Sequence, residues 1–213
     1  MKIPLEQLAL LKVSGSDSEN FLQNQLTNDI SMLKDNRIQL NAYCQHQGKI
    51  IALFWVMRHN DSFLLSFPED LAEKVLARLK LFIIMSDVKI DDISKQFKQI
   101  GLINESHFDA YSFNDDLSLQ IHSSEVINGE INENHNVDEW TKACIDFQIP
   151  QVSLITSEKL VPQMLNLDIN EVGVNFSKGC YPGQEVVARL HYLGEAKRRL
   201  FSFKSESEMQ IGD

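Results

Sequence analysis

Lys178-Gly179-Cys180-Tyr181-Pro182-Gly183-Gln184-Glu185 sets a thiol between two glycines, with an amine two residues before it and an amide and a carboxylate just after. The chemistry this suggests is thiolate chemistry. A free thiol ionises near about 8.5, and a neighbouring cation or a helix N-terminus favours the thiolate, which is the nucleophile and the metal ligand. Gly179 and Gly183 allow a sharp turn around Cys180. Pro182 suits a first helical turn, and Gln184 to Leu190 reads as a short helix with Val186, Val187 and Leu190 inward. Cys180 is the candidate reactive residue, Lys178 would hold it charged, and Tyr181, Gln184 and Glu185 would fix the turn by hydrogen bonds. A buried structural cysteine beside an ordinary turn is the alternative, and the flanking glycines argue against it.

The elements that must position this turn come from a chain of mixed character. Leu8–Val13 reads as a strand, Ser14–Asp17 as a turn, and Ser18–Leu26 as a helix with Phe21, Leu22 and Leu26 inward. Asp29 stands out, because an acid just past a helix C-terminus is electrostatically unfavourable. Ile38–Cys44 and Lys49–Arg58 form a hairpin about Gln45–Gly48, and Ser62–Phe67 is a further strand. A helix is predicted from Leu71 to Leu81, then extended chain at Ile83–Met85 and Val88–Asp91. Phe97–Ile103 and Leu117–Ile121 read as strands and Asn128–Asp138 as a polar loop. Val137–Ile149 is helical, with Trp140 either in the core or offering its flat indole to a flat ring. Val172–Phe176 and Leu200–Phe203 read as strands. Strands interleaved with helices predict an α+β layer fold.

Composition narrows the function classes. The 213 residues carry a net charge of −10, 43% hydrophobic and 23% charged residues. Phosphate contacts dominate nucleic-acid affinity, and Lys197-Arg198-Arg199 is too small a basic cluster to supply them, so no direct tight nucleic-acid binding is expected. Cys44, Cys144 and Cys180 form no C-x-x-C pair, and His107, His122 and His135 occur singly, so no metal site is predicted. The longest apolar run, Ile50–Met57, is far short of a membrane span, and no signal peptide precedes it. A reducing cytoplasm with free thiols is the expected setting, with no membrane partner.

The segment Lys178–Glu185 resembles the K-G-C-Y-x-G-Q-E signature of the YgfZ family, folate-binding proteins related in fold to the T-protein (aminomethyltransferase) of glycine cleavage. Gly15–Asp29 resembles that family's G-x-D-x-x-x-F-L-Q-x-Q-x-T-x-D block, Cys44–Lys49 its C-x-x-x-G-K turn, and Pro162–Leu167 its P-Q-x-x-N-L segment. Ala188-Arg189 and Lys197-Arg198 fit as well. The likeness spans roughly residues 5–90 and 137–203.

The resemblance implies a T-protein-like folate-binding body of two α+β halves, residues 1–90 and 137–203. Between them lies a middle segment, 91–136, shorter than is usual in the family. Residues 204–213 stand where a C-terminal β-barrel would begin, so that barrel is expected to be absent or cut short. Tetrahydrofolate or a derivative is the implied cofactor. Trp140, Leu8, Gln163, Asn166 and Arg189 are the implied folate-binding positions, although Met164 stands where the T-protein places a pterin-reading carboxylate. The implied role is accessory: synthesis or repair of iron–sulfur enzymes with Cys180 as the working thiol, supporting tRNA thiomethylation indirectly. Iron–sulfur client enzymes or assembly proteins would be the partners. Two other readings stand beside it, an aminomethyltransferase acting on a folate one-carbon unit and a non-catalytic folate-binding interaction module.

Overall fold

The computed structural model describes residues 1–105, 107–125 and 137–207. Residues 128–136 of the expected polar loop, with His135, and the terminal Ile211–Asp213 lie outside the described residues.

The first sheet has five antiparallel strands in the order β3 (Gln39–Cys44), β4 (Ile50–His59), β5 (Ser62–Pro68), β2 (Leu8–Ser14) and β6 (Lys89–Asp92). Its central strands read as unbroken apolar runs because both faces are covered, so the usual alternation with polar residues disappears. Phe54 and Val56 of β4 face a core shared with α1 (Ser18–Gln25) and α2 (Ala72–Lys80), while Trp55 and Met57 face a second core.

That second core lies against a four-stranded antiparallel sheet, ordered β1 (Lys2–Pro4), β7 (Phe97–Ile103), β9 (Leu117–Ser123) and β8 (Tyr111–Ser112). A buried amide bonds across to the first sheet. Gln99 Nε2 donates to the carbonyls of Leu8 (3.0 Å) and Ala9 (3.2 Å), and its Oε1 accepts from Ser66 Oγ at 2.6 Å. Helix α3 (Val137–Asp146) drives Trp140 into the same core, where the indole lies directly on the backbone of Gly101. A Cβ at Gly101 would stand 2.3 Å from the Trp140 ring, so only glycine fits there.

The α+β class and most strand and helix positions agree with the sequence reading, and three extended segments do not. Ile83–Met85 is a turn closing α2: Ile83 N–H donates to Lys80 O, Met85 takes φ +53°, and both Ile84 and Met85 are exposed. Val172–Phe176 has no strand neighbour, because Gly173 and Val174 both donate to Leu167 O and Asn175 donates to Thr27 O. Among the described residues, Leu200–Phe203 pairs with no strand either. β1 and β8 escaped the sequence reading because three and two residues leave no readable periodicity.

Gly101→Ala is expected to destabilise the protein by about 1–3 kcal/mol through overpacking against Trp140. Urea denaturation measures this, and an unchanged midpoint would contradict the close approach.

Candidate functional site

The turn around Cys180 is built on one glycine, not two. Gly183 takes φ +83°, and a Cβ there would meet Gln45 O at 2.4 Å and Gly48 N at 2.8 Å. Gly48 in turn has φ +75°, and its own Cβ would stand 3.0 Å from Val186 Cβ. The β3–β4 hairpin turn and the start of α4 (Gln184–Leu193) therefore fit together through two left-handed glycines. Gly179 has open space around its missing side chain and no positive φ, so the expectation that it shapes the bend is corrected. Pro182 precedes the helix instead of opening its first turn, and Val186 is exposed where an inward side chain was predicted.

Lys178 has a different task from the one predicted. Its ammonium donates to the carbonyls of Gln23 (2.5 Å), Leu26 (2.6 Å) and Asn28 (3.0 Å), and so caps the C-terminal end of α1. All three N–H bonds are used, so none remains to hold the Cys180 thiolate. Burial pulls this ammonium down to about 8, while the Asp29 carboxylate pulls the other way. Asp29 itself is held below the usual carboxylate range by hydrogen bonds from Ser31 and Gln23, working against burial. It caps the short helix Ile30–Met32, which explains an acid at that place in the chain.

Among the described residues, no side-chain hydrogen bond of Tyr181, Gln184 or Glu185 fixes the turn, which corrects that expectation. The turn is held by backbone, with Gln184 N–H donating to Tyr181 O and Val187 N–H to Gly183 O, both at 3.2 Å. Tyr181 is buried, its ring centroid 5.5 Å from Lys178 Nζ. Cys180 is exposed, whereas Cys44 and Cys144 are buried and all three thiols are free. Burial pushes the Cys44 and Cys144 thiols up, Cys144 to about 12, so both stay protonated at neutral pH.

A cleft of about 910 Å³ opens between the β3 edge, the end of α3, the turn at 165–172 and the tail at 200–203. Its walls are apolar, with Leu40, Phe113, Ile145, Leu167 and Phe201 among them, and its polar groups are amides and hydroxyls: Gln39, Asn114, Gln148, Asn166, Thr141 and Ser202 among others. Among the described residues, no charged side chain lines it, and neither does Cys180. Such a surface accepts a flat, mostly neutral ring system whose edge carries both donors and acceptors.

Of the predicted folate-binding residues, only Asn166 lines this cleft. Trp140 is 0% exposed and lies on Gly101, so it offers no face to a ligand. Leu8 is buried in the same inter-sheet core. Gln163 is buried and donates from Nε2 to Val187 O at 2.8 Å, which ties the turn at 162–165 to α4. Arg189 is exposed on α4, away from the cleft lining. Asn166 takes φ +59°, donates to Leu200 O at 2.8 Å, and keeps a buried Oδ1 without a partner.

Sequence reasoning missed Phe113, Gln39 and Arg199. Arg199 forms a two-pronged ion pair with Asp168, Nη1 to Oδ1 at 2.5 Å and Nη2 to Oδ2 at 3.0 Å, and also donates to Gln163 O at 2.9 Å. An arginine beside two other basic residues reads as solvated surface, and its partner thirty-one positions earlier gives no local signal. Among the described residues, no group of three His, Cys, Asp or Glu could hold a metal, and no helix is long and apolar enough to cross a membrane.

Comparison with known proteins places these features in context. The GCVT N-terminal domain family matches residues 4–103. An uncharacterized protein of Haemophilus influenzae is 35% identical over 99% of this chain and 76% of its own length. The tRNA-modifying protein YgfZ of Colwellia psychrerythraea is 31% identical over 97% of this chain and 72% of its own length, and that of Aliivibrio fischeri is 31% identical over 97% and 71%. Among solved structures, the glycine cleavage system aminomethyltransferase T of Bartonella henselae aligns with TM-score 0.43 at 16% identity, covering 47% of this chain and 27% of that one.

The cap and the turn give a contrast in stability. Lys178→Met leaves three carbonyls without their donor and is expected to cost about 2–3 kcal/mol. Gly183→Ala is expected to cost at least about 1–2 kcal/mol from its positive φ alone, while Gly179→Ala stays within about 0.5 kcal/mol. Denaturant titration of the three variants checks the order, and a Gly179→Ala loss equal to that of Gly183→Ala would contradict it.

Proposed function

The chain belongs to the YgfZ family, and from that premise we propose that it is a folate-binding accessory protein whose ligand is tetrahydrofolate or a derivative, seated in the cleft beside α3. The observation that carries this reading is the cleft's chemistry: aromatic and aliphatic walls, six or more amide and hydroxyl side chains and, among the described residues, no charge. A reduced pterin is flat and has an edge of alternating donors and acceptors. Asn and Gln side chains carry one donor group and one acceptor each and can match such an edge without a carboxylate. The partnerless Oδ1 of Asn166 supports the fit, because a buried acceptor is stabilised by a ligand donor.

Tetrahydrofolate when bound would supply a carrier of one-carbon units. The chain's own residues would do the rest: the apolar walls exclude water, the amides orient the ring, and the exposed Cys180 offers a thiol at the surface. An exposed thiol on a rigid turn suits contact with a partner's sulfur or iron, so iron–sulfur enzymes or their assembly proteins are the proposed partners, in the cytoplasm. Any effect on tRNA thiomethylation would then be indirect, consistent with the net charge of −10. An aminomethyltransferase would need a carboxylate near the departing amine, and among the described residues the cleft wall has none.

Trp55 and Trp140 both lie against Phe113, at 4.9 and 6.5 Å between ring centroids, and Phe113 lines the cleft. Tetrahydrofolate is therefore expected to quench the intrinsic tryptophan fluorescence of the full chain, saturably. Ile145→Glu, at a position 52% exposed, puts a charge in the wall and is expected to weaken binding about tenfold or more without unfolding the protein. Cys180→Ala should bind as the wild type does and fail to restore function in cells lacking the protein. Absence of quenching in the wild type would overturn the folate reading, and full complementation by Cys180→Ala would remove the thiol from the mechanism.

A further inference from the structure

Among the described residues, the tail beyond α4 has no helix or strand of its own, yet residues 200–203 form one side of the cleft. Its hold on the body is a clasp of four hydrogen bonds. Arg199 grips both oxygens of Asp168 and the carbonyl of Gln163, and Asn166 Nδ2 holds Leu200 O. The Asp168 side chain is only 8% exposed, so this ion pair is largely shielded from solvent on the acid's side. The next residues reverse the pattern. Phe201 and Phe203 are 78% and 70% exposed and line the cleft. Two phenyl groups, exposed among the described residues, are thus held at the edge of the cleft by a part-buried clasp.

We infer that Phe201 and Phe203 are the closing aromatic wall for the bound heterocycle, and that Arg199 and Asp168 are positioning residues that set this wall. The inference rests on the folate reading of the cleft, to which it adds the residues that grip the ring. The clasp acts before binding: it limits the tail to conformations in which the rings already face the cleft, so less order has to be gained when the ligand arrives.

The full chain is titrated with tetrahydrofolate, followed by tryptophan quenching and by calorimetry. Phe201→Ala, at an exposed position, is expected to leave the unfolding midpoint unchanged and to weaken affinity about threefold to tenfold, the range for loss of one ring contact. Arg199→Met is expected to weaken it similarly, and Arg199→Lys to recover only part, since a lysine cannot grip both carboxylate oxygens. Arg199→Met combined with Phe201→Ala should lose little more than the worse single variant, because both act through one wall. Backbone amides at 200–203 should exchange more slowly with solvent deuterium when ligand is present. Binding by the wild type with unchanged affinity in Phe201→Ala and Arg199→Met would overturn the inference while leaving the folate reading intact, as would additive losses in the double variant. Failure of the wild type to bind would overturn both.

Discussion

One buried ammonium joins two distant parts of the chain. Lys178 reaches 150 residues back to close the C-terminal end of α1, and its three donors meet three carbonyls. Taking a cation out of water costs several kcal/mol, which only well-aligned charge-assisted bonds offset. The neighbouring segment is sewn to the same seam. Thr27 Oγ1 donates to Gly173 O at 2.6 Å and accepts from Ala42 N–H at 2.8 Å, and Asn28 Nδ2 donates to Val172 O at 3.3 Å. The chain from 172 to 178 is thereby fixed on the first sheet, and the Cys180 turn inherits its position from that seam.

This constraint separates two kinds of chemistry. With Lys178 committed to structure, the thiol is presented by geometry alone: a turn locked between Gly48 and Gly183 and a residue left in solvent. The neutral cleft is built elsewhere, from β3, α3 and the turn at 165–172. Gln163 is the physical link between them, buried beneath α4 and bonded to Val187 O on one side and to Arg199 on the other.

Local patterns were legible in the sequence and distant ones were not. The hairpin about Gln45–Gly48, the helix after Ser18 and the helix after Gly183 each depend on residues within a few positions of one another. The two glycines beside Cys180 look equivalent until the hairpin turn is placed against them, and then only Gly183 is needed. The inward helix face at Trp140 was readable, but whether the indole meets a ligand or a backbone depends on Gly101, thirty-nine residues away on β7. The acid at Asp29 looked unfavourable because the short helix it caps, three residues long, has no periodicity. The cleft draws its walls from five separated segments, so its character could not be read from any one of them. Family resemblance supplied a ligand class, and carried over residue by residue it brought only Asn166 to the cleft.

The most direct measurement is a crystal structure of the full chain grown with a stable folate. The account predicts ring density between Phe113 and the tail phenyl groups, within hydrogen-bond reach of the cleft amides, and with Cys180 Sγ outside that pocket. Ring density against the Cys180 turn, with the cleft beside α3 empty, would contradict it.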